Sequence, residues 1–196
     1  MRCIVFSILV AGVLALLGGF AVIHTGAYDV AATSPHWPVT RWLMETVRIR
    51  SIKAHAAGIQ VPPDFDNPAN IPTGVEHFAA HCAVCHGAPG VPRGDIGQGL
   101  YPAPPDLAKT APLYSGAELF WIVKNGIKMT GMPAWNDHSN TEQWATVAFV
   151  KKLPGMSEKD YARLVMANAA HGAQHHHAGD EGSRPGLTPP DDHEHH

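Results

Sequence analysis

From Cys3 to Ile23 the chain carries no charged side chain and consists mostly of Ile, Val, Leu, Ala, Gly and Phe. At the helical rise this run is about long enough to cross a bilayer core. Arg2 and the terminal amine precede it, and Val30-Ala31-Ala32 offers a cleavage site rather far past its end. The run is longer than the apolar stretch of an ordinary signal peptide, so residues 1–25 are expected to be an uncleaved anchor, with a cleaved signal as the alternative. Positive charge at the extreme N-terminus keeps that end in the cytoplasm, although Arg41, Arg48, Arg50 and Lys53 beyond the run pull the other way. Cys3 lies within the apolar stretch, too early to be the lipidated cysteine of a lipoprotein.

Beyond residue 26 the apolar positions recur with a helical period. Pro38 suits a helix start, and Trp42, Leu43, Thr46, Val47 and Arg50 share a side, which predicts a juxtamembrane helix. Its tryptophans and basic residues suit a membrane interface; the alternative is packing on the following domain or a partner subunit. Pro62-Pro63 to Pro72 reads as a stiff spacer, so residues 26–72 link the anchor to a compact domain over 73–156. Three helix starts are marked there by capping boxes: Thr73 with Glu76, Ser115 with Glu118, and Ser139 with Glu142. The second helix, through Leu119, Phe120, Ile122 and Val123, stops at Asn125-Gly126. The third carries Trp144, Val147, Ala148 and Phe149 at helical spacing before Pro154 ends it. Gly87 to Pro112 is dense in Gly and Pro and reads as a wrapping loop, and no alternating strand of useful length occurs. Ser157 and Asp160 open a further helix over 157–170, with Tyr161, Leu164 and Val165 leaning on the domain. The pattern is that of an all-α chain of one compact domain.

The chemistry is concentrated in Cys82-Ala83-Val84-Cys85-His86. C-x-x-C-H is the attachment signature of a c-type haem: two thiols three residues apart each add to one vinyl group on a haem edge. The next imidazole, His86, is then carried under the iron as the proximal axial ligand. A bare C-x-x-C also occurs in redox dithiols and zinc sites, but no βαβ pattern or second cysteine pair accompanies it here. For the distal face, Lys128-Met129-Thr130-Gly131-Met132-Pro133 offers two thioethers. Met132 is the expected ligand, because Pro133 biases it toward extended backbone and Gly131 frees the chain before it; Met129 is the rival.

On these residues the chain resembles the class I c-type cytochromes, and most closely the membrane-anchored monohaem type of proteobacteria and the cytochrome c subunits of membrane oxidases and dehydrogenases. The resemblance runs from Thr73 to about Pro154 and includes Pro105-Asp106-Leu107, Asn125-Gly126 and Gly131-Met132-Pro133. It implies a small class I cytochrome c fold of three to five helices around one covalent haem c, with Phe78 of the first helix meeting the Trp144–Phe149 face of the last. It also implies that a carbonyl at Pro105, crowded by Pro102 and Pro104, accepts the Nδ1 proton of His86, and that Leu107 packs on the haem. Covalent attachment on the exported face of the membrane in that family places the domain in the periplasm, anchored to a bacterial inner membrane.

After Ala170 the composition changes to His, Asp, Glu, Gly and Pro, so residues 171–196 are expected to be disordered. His175, His176 and His177, with His193, His195 and His196, offer imidazoles for copper, zinc or nickel. His77 and His81, one turn apart, could share a metal or simply flank the haem helix. Fourteen Lys and Arg against seventeen Asp and Glu leave the chain near neutral, with no reason to bind nucleic acid. Lys109, Lys124 and Lys128 could ring the haem edge and steer acidic redox partners. The function expected is single-electron transfer between protein partners, not catalysis. Its rivals are a haem enzyme or sensor with an open distal site, such as a peroxidase or gas binder, and a copper- or zinc-handling protein acting through the tail.

Overall fold

A computed structural model describes residues 1–178, with side chains described to residue 170. Helix α1 (Arg2–Thr25) buries none of its 24 residues. At 1.5 Å per residue it spans roughly 36 Å, enough for the ~30 Å hydrocarbon core. Among the described residues it is the one helix long and apolar enough to cross a membrane. The segment that follows is pinned. Tyr28 Oη hydrogen-bonds His36 Nδ1 at 2.7 Å, and the His36 backbone N–H donates to the Tyr101 hydroxyl at 2.8 Å.

Helix α2 (Pro38–Ala56) starts with proline in its first turn, where a missing N–H costs nothing. Its packed stripe is not the one that residues 42–50 suggest. Ile52 and Ala56 are buried, at 1% and 4% exposure, whereas Trp42, Leu43 and Val47 stay exposed. The C-terminal half of α2 packs on helix α7, described below.

The stretch read as a spacer belongs to the domain. Phe65 meets Trp144 edge-on at 5.4 Å. Asn70 Nδ2 donates to the carbonyls of Asp64 and Phe65, each at 3.0 Å. Asn67 caps the short turn Pro68–Asn70, and α3 (Ile71–His77) follows directly. The capping box expected of Thr73 and Glu76 is therefore absent: the prolines and Asn67 start the helical run earlier, and Thr73 lies inside the first turn.

A π turn (Phe78–Cys82) carries α3 into α4 (Ala83–His86). Single turns α5 (Asp95–Gly99) and α6 (Leu107–Thr110) interrupt the Gly/Pro-rich loop. Next come α7 (Gly116–Asn125), α8 (Asn140–Val150) and α9 (Glu158–Ala178). Ser115 and Ser139 close the two remaining capping boxes as expected. No strand forms among the described residues; one isolated bridge pairs Ala88 with Val91.

The core sits where α3 and α8 cross. Phe78 meets Phe149 edge-on at 5.2 Å, and Phe120 of α7 stacks on Trp144 at 4.3 Å. Tyr161 of α9, 5% exposed, completes the cluster 6.2 Å from Phe78. Helix α9 continues past the compositional break at Ala170 to Ala178, because propagation from the segment bearing Ala162, Ala167, Ala169 and Ala170 adds one hydrogen bond for each further residue fixed, so the disorder expected from residue 171 does not hold over 171–178. Residues 179–196 lie outside the described residues, as do the side chains of His175, His176 and His177 with the metal reading attached to them.

Candidate haem site

The helices leave a cleft walled by α2, α4, the loop around Pro105, α7, α8 and the loop after α7. The space between these walls, its open mouth included, amounts to about 1210 Å³. Its walls are overwhelmingly apolar.

Cys82, Cys85 and His86 reach the cleft from the π turn and α4. His86 Nδ1 donates to the Pro105 carbonyl at 2.8 Å. Pro105 is held there from the next residue on: the Asp106 carboxylate caps α6 by accepting from the Ala108 N–H at 3.0 Å. Lys109 Nζ lies 3.0 Å from the same carboxylate and, as the leading cause, holds the Asp106 carboxyl below its ordinary range. Burial lowers the pKa of His86, against the opposing effect of the Pro105 bond. Burial thus favours the neutral ring, and with Nδ1 donating to Pro105 it is Nε2 that is left as the donor for a metal. Leu107 lines the cleft from α6.

The two methionines part company. Met132 lines the cleft, whereas Met129 takes a positive φ of 60° and is 73% exposed. Local bonds fix the difference. The Ile127 N–H donates to the Met132 carbonyl at 3.2 Å, and the Met132 N–H donates to Thr130 Oγ1 at 3.2 Å. Gly126, at φ 64°, makes the turn possible; a Cβ there would lie 2.6 Å from the Pro133 backbone.

Haem c fits this cleft on two observations. Burial, aided by the neighbouring Cys85, pushes the Cys82 thiol up to about 12. A zinc-binding thiolate is disfavoured at such a position, while an uncharged thioether carries no such penalty. The second observation is Arg48, which the sequence reading passed over. It lines the cleft from α2, and its Nε is buried without a hydrogen-bond partner. A haem brings propionate carboxylates, the partner such a guanidinium lacks. The signal was present in the spacing, since Arg48, Ile52 and Ala56 follow one another at intervals of four. Of the lysines, Lys109 is paired with Asp106, and Lys124 donates to Asn140 Oδ1 at 2.9 Å.

Residues 69–150 match the family described as cytochrome c oxidase, cbb3-type, subunit III. No curated protein matches the chain significantly. The match leaves out α2 but covers α4, the loop around Pro105, α7, α8 and the whole C-x-x-C-H motif, and with the strandless fold it shows that these residues form a class I c-type cytochrome domain carrying covalent haem c.

Proposed function

We propose that this protein is a membrane-anchored monohaem cytochrome that passes single electrons between redox partners on the periplasmic face of a bacterial inner membrane. Cys82 and Cys85 would hold the haem through thioethers, and His86 and Met132 would be the two side chains offered to its iron. When bound, the group supplies a one-electron ferric–ferrous couple, whose potential a Met/His ligand pair raises. The chain supplies the rest. The Pro105 carbonyl orients His86 and strengthens it as a ligand, Arg48 offers a counter-charge to a propionate, and the apolar walls keep water out. With His86 and Met132 both given to the iron, no coordination site would remain for a substrate, which favours a carrier over an enzyme. The observation that carries this reading is that His86 and Met132 line one cleft while Met129 faces solvent. The match to an oxidase subunit supports a membrane oxidase as the partner.

Optical spectroscopy of the purified protein tests it. The oxidised wild type is expected to show the near-infrared sulfur-to-iron band. Met132→Ala should abolish the band and open the ferrous haem to carbon monoxide, while Met129→Ala changes neither. A wild type that lacks the band and binds carbon monoxide readily overturns the carrier reading in favour of an enzyme or sensor.

A further inference from the structure

Three imidazoles outside the haem ligand set converge on one face of the domain. His77 from the end of α3 and His81 from the π turn lie with ring centroids 4.7 Å apart. His138, from the turn before α8, stands at 4.4 Å from His77 and 5.6 Å from His81. One ring nitrogen of each lies within 4.8 Å of the other two. Zinc–imidazole bonds of ~2.0–2.1 Å set tetrahedral ligand nitrogens about 3.3 Å apart, so small side-chain rotations close the set.

Two further observations point to a ligand. His77 is only 8% exposed, and its Nε2 is buried with no hydrogen-bond partner. A buried polar nitrogen left unpaired among imidazoles lacks an acceptor or a cation. In addition, the turn that bears His138 is held from inside. Gln143, fully buried, donates through Nε2 to the carbonyls of Trp135 at 2.8 Å and His138 at 2.9 Å. The Trp135 ring contacts all three imidazoles, at 4.9–5.7 Å between centroids. Asp137, whose carboxylate lies 3.8 Å from His138 Nε2, adds negative charge beside the cluster.

We infer that His77, His81 and His138 form a binding site for a divalent transition-metal ion of the zinc–copper type, separate from the haem iron. All-imidazole donor sets suit these borderline ions. Three protein ligands leave a fourth position for water, the pattern of open rather than closed zinc sites. His81 and Trp135 also line the haem cleft, so the ion sits against the haem wall.

Zinc is the probe of choice because it is redox-silent and leaves the haem oxidation state untouched. The haem-loaded full chain is used, with His171, His175, His176, His177, His193, His195 and His196 replaced by Asn so that the tail contributes no imidazoles. Titration against a chromophoric chelator is expected to show one Zn²⁺ per chain. His138→Gln, which lies outside the haem cleft, should weaken it at least tenfold with the haem spectrum and melting temperature retained, and His81→Gln should weaken zinc binding by a similar factor, since even outer partners of metal ligands are worth ~10–100-fold. Either no zinc bound against the chelator, or equal binding by both variants and the parent, overturns the site.

Discussion

Arg48 is a charge whose purpose is set by what it faces. It lines the apolar cleft, and its Nε is shut off from water without a partner. A cation beside a haem favours the ferrous state, which carries one positive charge fewer. At an effective dielectric of about 20, a unit charge ~10 Å away is worth on the order of 1.7 kcal/mol, or tens of millivolts for a one-electron couple. Arg48→Met keeps an unbranched apolar stem and removes the charge. Potentiometric titration is expected to find the haem midpoint lowered by tens of millivolts with the axial-ligand spectrum intact. An unchanged midpoint would mean that Arg48 has no charge partner in the haem. The Pro105 carbonyl was implied by the family resemblance, whereas Arg48 enters from a helix distant in sequence.

At the scale of elements, the crossing of α3 and α8 depends on one missing side chain. A Cβ built on Gly74 would stand 2.2 Å from the Ala145 carbonyl oxygen and 2.9 Å from Phe149 Cβ. The obstacle is backbone, so no rotamer change relieves it. Overpacking of this kind costs ~1–3 kcal/mol, and Gly74→Ala is expected at or beyond the upper end. Denaturant unfolding of the haem-loaded variant measures it, and a loss below about 0.5 kcal/mol would show that the two helices part freely. Nothing local to Gly74 announces this role, because the constraint comes from a helix some seventy residues later. Most features written within four residues were legible: the Ser115 and Ser139 caps, the stop at Gly126 and the cysteine–histidine motif stand where the sequence puts them, whereas the Thr73–Glu76 box gave way to a helix start set upstream by Asn67 and the prolines. The reading faltered where tertiary packing chose between equivalent local options. For α2 either stripe was helical, and burial selected Ile52 and Ala56 over Trp42 and Leu43. For the Pro62–Pro72 stretch, proline density suggested stiffness, while Phe65 docking on Trp144 made it part of the domain.

For the molecule as a whole, the decisive division is between α1 and everything after it. None of α1 packs on the haem domain, so the domain's core owes it nothing. Replacing residues 1–25 by a cleavable export signal is expected to yield a haem-loaded protein with unchanged absorbance that fractionates with the soluble periplasm instead of with membranes. Retention in the membrane fraction would assign anchoring to the exposed Trp42, Leu43 and Val47 stripe of α2 instead. The link between the two parts is short and fastened at both ends: residues 26–37 are hooked to the haem-side loop through Tyr28, His36 and Tyr101, and α2 closes the cleft itself. With α1 in the bilayer, such a link has no slack. The haem of the proposed carrier would then ride at a fixed height, and its collisions would be those of a body sliding along a surface, counted per area of membrane and not per volume of compartment. A partner meets it only by presenting its own redox centre at that same height.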